Sequence, residues 1–152
     1  LSDLPEWDQQ RHRARIRTLP DFGPPPFAPG PPLAARRVAI VTTAGLHPRG
    51  ARPFEMGATD YRVIPAGTPP GDMVMSHTSV NFDRTGFQED LNVVFPLERL
   101  RELHEGGVVG AVADRHYSFM GASPVPALEP KALELAGRLR EDGVDAVVLV
   151  PV

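Results

Sequence analysis

Apolar positions along the chain fall into short continuous runs separated by helix-spaced ones. Arg37–Thr43 ("RVAIVTT") is a Val-rich, β-branched run that reads as a buried strand, with "AGLHP" turning out of its carboxyl end. Tyr61–Pro65 is a shorter strand candidate. Pro96 then opens a helix in which Leu97, Leu100 and Leu103 share one face, and Gly106 and Gly107 close it; proline suits a first turn and glycine a left-handed C-terminus. Val108–Ala113 reads as the next buried strand. Leu128, Ala132, Leu135, Ala136 and Leu139 fall on one helical face before Gly143, and Asp145–Val150 follows as a fully buried terminal strand.

The order strand, helix, strand, helix, strand requires crossover connections and therefore a parallel sheet. The expected fold is α/β, a three-layer, mostly parallel Rossmann-like sheet that is incomplete at its C-terminal side. Its last strand should leave an edge or face uncovered. No internal repeat is visible.

Residues 1–35 break this pattern. "RHRARIR" is followed by "GPPPFAPGPP", in which repeated proline fixes the backbone and removes hydrogen-bond donors. These residues form a Pro-rich N-terminal arm on a domain spanning 36–152. Trp7, Ile16 and Phe22 are candidate anchors for the arm, and Arg11–Arg17 reads as a solvated helix face in preference to a docking site for an acidic partner.

Composition narrows the classes. With 152 residues and 41% hydrophobic content the chain suits one domain with a substantial core. A formal charge of −3 and a pI near 5.9 argue against binding nucleic acid or an anionic membrane. No apolar run has the roughly 18–20 residues that span a bilayer, and no secretory leader is visible, so the expected compartment is the cytoplasm. The absence of cysteine removes disulfides, thiolate metal sites and cysteine nucleophiles from these residues.

Chemistry concentrates in two polar stretches, "SHTSVNFDRTGFQEDLNVVFP" from Ser76 and "DRHYSFMGASPVP" from Asp114. The second follows a predicted strand, where α/β sheets place their ligands, so a polar cleft is expected there. His77 with Asp83, or His116 with Asp114, has the makings of a general base oriented by a carboxylate. Each histidine equally suits a structural hydrogen bond to the loop backbone, and both readings stand. A metal held by His77, Asp83 and His116 is chemically conceivable, but no compact ligand spacing supports it. Met73, Met75 and Met120 read as core filling. Gly45, Gly50 and Gly57 form no phosphate-binding fingerprint.

Three motifs, "SHTSVNFDRTGFQEDLNVVFPLERLREL", "GGVVGAVADRHYSFMGA" and "LREDGVDAVVLVPV", resemble in order the selenoprotein B family of glycine, sarcosine, betaine and D-proline reductases, over Arg37–Val152. The resemblance implies a selenol- or thiol-dependent reductase component for reductive C–N cleavage, with selenocysteine, or cysteine in some members, almost directly after the final strand. Val152 would abut that position. Because selenocysteine is encoded by a codon that otherwise means stop, the 152 residues are expected to be the amino-terminal part of a longer selenoprotein; the alternative is a short paralogue that has lost the redox centre.

By the same resemblance no catalytic residue or cofactor lies within 1–152, and the substrate amine is activated by a pyruvoyl group on a partner subunit or by another subunit in its place. Substrate-binding positions are His77, Asn81, Asp83, Asp90, Asn92, His116, Tyr117 and Ser118. Partners are other reductase subunits and a small amine or amino-acid substrate, with a homo-oligomer also in view. The competing reading is a noncatalytic binding or assembly subunit on the same scaffold.

Overall fold

The computed structural model describes residues 2–21, 23–24, 28–80 and 83–152. Its spine is β1 (Arg37–Thr42), which pairs in parallel with three strands. On one flank β7 (Ala146–Val150) runs in unbroken register from Val38↔Ala146 to Thr42↔Val150. The other flank is shared. β5 (Ala111–Val112) pairs with Arg37 and Val38, and β6 (Arg115–Ser118) pairs with Val41 and Thr42. Since β7 already occupies one side of Val38 and Val41, β5 and β6 are two pieces of one interrupted strand on the other. β3 (Arg62–Pro65) closes that side antiparallel to β6.

Alternation along β1 sends side chains to both faces. Val38 and Ile40 join one core with Leu97 and Leu100 of α3 (Leu97–Glu105), Ala146 and Val150. Ala39 packs with Val144 and Leu139, and Val41 with Leu135, Leu139 and Tyr117, beneath α4 (Val125–Glu141). With α3 and α4 on opposite faces, the fold is α/β in three layers. A small antiparallel pair, β2 (Leu46–Pro48) and β4 (Met73–Met75), adds Leu46, Met73 and Met75 to the α3 side; Met120 is also fully buried. Met73, Met75 and Met120 thus fill the core as their sequence context suggests.

Several elements depart from expectation for identifiable reasons. The strand expected over Val108–Ala113 shrinks to Ala111–Val112 because its first residues complete the end of α3. Gly107 takes φ +72°, its N–H bonds to His104, and the Val108 N–H reaches back to the Leu103 carbonyl at 2.9 Å. Gly110 then lies so close to the backbone of Ala34–Arg36 that a Cβ would sit 2.7 Å from the Ala34 carbonyl oxygen.

"RHYS" is a strand, β6, buried from His116 to Ser118, where the lining of a polar cleft was expected. The terminal strand forms, but it is an edge. Val147, Val148 and Leu149 are 39%, 38% and 72% exposed, and among the described residues nothing pairs with its outer side. It is therefore not fully buried, and it carries the uncovered edge expected at the sheet's C-terminal side.

In the arm, Glu6–Arg17 forms α1, with none of its residues buried. Acidic residues in its first turn and arginines in its last suit the helix dipole, and its basic face is solvated. Trp7 and Ile16 are 66% and 57% exposed, so neither anchors the arm; Phe22 lies outside the described residues. Among the described residues no helix is long and apolar enough to cross a membrane.

Candidate functional site

The carboxyl ends of β1, β6 and β7 converge. Past β1, the Thr43 N–H donates to the Val150 carbonyl at 3.0 Å, extending the β1–β7 ladder. The Thr43 hydroxyl then binds both polar groups of one residue. It accepts from the Val152 N–H at 2.8 Å and donates to the Val152 carbonyl at 3.1 Å. From the end of β6, the Gly121 N–H donates to the Thr43 carbonyl at 2.8 Å, and a Cβ at Gly121 would overlap the Val152 carbonyl.

Gly45 makes the exit from β1 possible. It takes φ +66°, and a Cβ there would lie 3.0 Å from the His77 nitrogen. Its own N–H bonds to the Phe119 carbonyl, and its carbonyl accepts from the Ser76 N–H. This close approach brings the His77 segment against the strand ends. A cavity of about 540 Å³ opens there, with His77, Thr78, Ser79, Gly121 and Val152 in its wall and Arg15 at its side. A second cavity, about 690 Å³, lies on the α4 side of Thr43, bounded by Phe119, Leu128, Asp21 and Glu129.

The expected site residues occupy three environments. His77 lines the first cavity and is buried. Its Nδ1 accepts from the Ser79 N–H at 3.2 Å, so the neutral ring carries its proton on Nε2, and its carbonyl accepts from Arg84 at 2.6 Å. Burial first, and then the Arg84 charge, hold its pKa below the ordinary histidine value. Asp83, the carboxylate expected to orient His77, turns instead to Thr85. It accepts from the Thr85 hydroxyl and N–H at the start of α2 (Thr85–Glu89), and the hydroxyl bond leads in holding its pKa down. Asn81 lies outside the described residues.

Asp90 and Asn92 build the entrance to α3. The Asp90 Oδ1 accepts from both the N–H and the side-chain amide of Asn92, each at 2.9 Å; these bonds lower its pKa, the backbone one most. The Asn92 Oδ1 accepts from the Glu98 N–H at 3.2 Å, satisfying a donor at the head of α3. The pair borders a separate pocket of about 220 Å³ that also includes Arg101.

His116, Tyr117 and Ser118 are interior residues of β6. The Asp114 carbonyl is taken by the Ala66 N–H, and the His116 Nδ1 fills the resulting gap beside β1 by accepting from the Ile40 N–H at 3.0 Å. Its ring meets Phe95 edge-on, with centroids 5.6 Å apart. Burial, reinforced by Arg101 and opposed by Asp114, lowers its pKa to about 4. Asp114 itself pairs with Arg37 at 2.5 Å, so the expected His116–Asp114 catalytic pair is not formed. The Ser118 Oγ accepts from the Leu46 N–H at 2.8 Å and ties β6 to β2. Tyr117 packs edge-on to Tyr61 and donates to Asp142 at 3.3 Å; burial leads in raising its pKa.

These three side chains do not line the cleft foreseen for them, because their polar atoms are used inside the sheet. Nor do His77, Asp83 and His116 assemble a metal site: among the described residues no three His, Asp or Glu side chains converge suitably. Thr43 and Gly121 are the site residues that sequence reasoning missed. Their signal is positional only, a threonine closing a buried strand and a glycine in "SFMGA".

Comparison with known proteins gives the same direction. The chain is 34% identical to the D-proline reductase subunit gamma of Acetoanaerobium sticklandii over 135 residues, covering 86% of this chain and 55% of that one. It is 29% identical to the glycine reductase complex component B subunit gamma of Symbiobacterium thermophilum, covering 82% of this chain and 30% of the relative. It is 31% identical to the sarcosine reductase complex component B subunit beta of Peptoclostridium acidaminophilum, covering 74% and 27%. It thus spans about half the length of the first and under a third of the other two. No solved structure matches. The model of the glycine/sarcosine/betaine reductase selenoprotein B family matches residues 24–152, and the chain belongs to that family.

Proposed function

We propose that this chain supplies the scaffold of a reductase component that cleaves a C–N bond in a small amine or amino acid, with the reactive selenol or thiol on a residue bonded to Val152. The single observation that carries this reading is the seating of Val152. Its N–H and carbonyl are both held by Thr43 at the rim of the His77 cavity. The backbone is held there, glycine at 121 leaves it room, and the wall mixes polar His77, Thr78 and Ser79 with apolar Met56 and Val80, so the residues present fit a chalcogen at that point. When present, that group supplies a nucleophile whose anion is the reactive form.

The chain's own residues then have definite tasks. His77 places a buried imidazole in the cavity wall, held neutral by its lowered pKa and fixed in orientation by the Ser79 N–H. Arg15 gives the same cavity a cation suited to a substrate carboxylate. Gly45 allows the His77 segment to approach the strand ends. Activation of the amine is assigned to a partner subunit, where the family resemblance implies a pyruvoyl group. The net reaction consumes two electrons and two protons from a dithiol; the carbon gains one hydrogen, the nitrogen takes the other and departs as amine or, in a cyclic substrate, stays tethered as the ring opens, and the dithiol becomes a disulfide.

The exposed edge of β7 favours a second reading, a noncatalytic assembly subunit that uses this strand for docking. One assay separates the two. The native protein with its associated subunits is given glycine, sarcosine, betaine or D-proline together with a dithiol. Reductase function predicts one dithiol oxidised per C–N bond cleaved in at least one substrate, blocked by iodoacetate. Intact subunit association without substrate-dependent oxidation would support the assembly reading instead.

A further inference from the structure

We infer that Thr43 is a positioning residue, which sets the direction of the peptide leaving Val152 and thereby the reactivity of the residue that follows; this rests on the functional reading above. One hydroxyl both accepts and donates, so a single oxygen is bonded to the N–H and the carbonyl of the same residue, at 2.8 and 3.1 Å. Tethering both polar groups of Val152 to one point fixes its φ and ψ together, and those angles determine where the next Cα stands.

Thr43 is itself immobilised. Its N–H is bonded to Val150 and its carbonyl to the Gly121 N–H, so the hydroxyl is aimed from both sides by the sheet and by the β6 exit. The absence of a Cβ at Gly121 completes the arrangement, since any side chain there would displace the Val152 carbonyl from the hydroxyl. Thr43 also borders the larger cavity on the α4 side, while Val152 borders the His77 cavity. The clamp therefore stands between the two cavities.

The test uses the full-length native sequence and variants at this hydroxyl. Thr43→Val keeps the shape and removes the oxygen; Thr43→Ser keeps the oxygen. Iodoacetamide alkylation of the residue bonded to Val152 is followed as a function of pH, with Val152 amide exchange as a second readout. The expected result for Thr43→Val is alkylation slowed roughly three- to tenfold with a displaced pH midpoint, and Val152 exchange accelerated by a similar factor, the scale of losing one or two hydrogen bonds.

Thr43→Ser should stay within about twofold of the native protein, because both bonds survive. Gly121→Ala should reproduce the valine phenotype by pushing on the Val152 carbonyl. A Thr43→Val protein that melts lower but alkylates with the native rate and pH profile would overturn the positioning role. A native protein with no alkylatable residue after Val152 would be recognised before any variant is made, and would overturn the functional reading and this inference with it.

Discussion

The two flanks of β1 solve the same pairing problem in opposite ways. Toward β7 the ladder is continuous over five residues, yet the strand beyond it is an exposed edge with Leu149 at 72% exposure. Toward β5 and β6 the ladder is broken, yet the break is sealed: the His116 imidazole takes the Ile40 N–H, and β3 covers the outer side. Regular hydrogen bonding and burial are therefore separable here. The broken flank is the closed side of the molecule, and the regular flank is the open one, whose end carries the candidate site.

The largest expected effect breaks the closed flank. His116→Ala removes the acceptor for a buried backbone N–H and leaves a cavity beside Phe95, so a loss of about 3–4 kcal/mol in urea denaturation is expected. A loss under ~1 kcal/mol would show that the imidazole does not hold the break together.

Acid tests the same contact. The pKa of His116 falls from 6.5 to about 4 on folding, so between those values the unfolded chain binds more protons. Its contribution is complete above pH 6.5 and is lost progressively as pH falls to about 4. The drop is on the order of 3 kcal/mol. Burial lowers the His77 pKa as well, adding to the slope with the same sign. Urea midpoints measured from pH 7.5 to 4 should decline over this window, and His116→Gln, which does not titrate, should flatten most of the decline.

Gly45→Ala probes the junction between the flanks and the candidate site. A residue with a Cβ at φ +66° meets left-handed strain and the His77 backbone together, for a loss of about 2 kcal/mol. Because His77 lies on the far side of that contact, its NMR-detected pKa should shift in the variant as well. The smallest effect belongs to the open flank. Leu149→Lys should change stability by less than about 0.5 kcal/mol while reducing self-association in sedimentation, because the side chain is exposed and a charged edge resists pairing. A loss comparable to that of His116→Ala would mean that β7 is covered in solution.

This contrast also accounts for what the sequence made legible. β1, α3, α4 and β7 follow from apolar runs and periodicity, and the end of α3 from its two glycines. β6 hid because His116 and Ser118 are buried through single, specific hydrogen bonds to β1 and β2, which a polar stretch does not reveal. β5 was overdrawn because Val108 and Val109 look like strand but bond back to Leu103.

At the site, motif resemblance brought His77 to notice and the strand-end rule directed attention to the carboxyl ends of the strands, where Thr43 and Val152 meet. Asp83, Asp90 and Asn92 share a motif with it, but in the fold Asp83 bonds Thr85 at the start of α2 and the other two order the turn into α3. Thr43 and Gly121 escaped notice because their importance lies in the backbone they touch, 109 and 31 residues from Val152 along the chain.

The most direct test of the central claim, that the carboxyl end of β7 is the reactive end of the molecule, is to alkylate the native protein with iodoacetamide and map the modified peptide by mass spectrometry. The predicted result is a single dominant adduct on a selenium or sulfur atom within a few residues after Val152. A peptide spanning that region with neither element, or a dominant adduct elsewhere in the protein, would contradict the account.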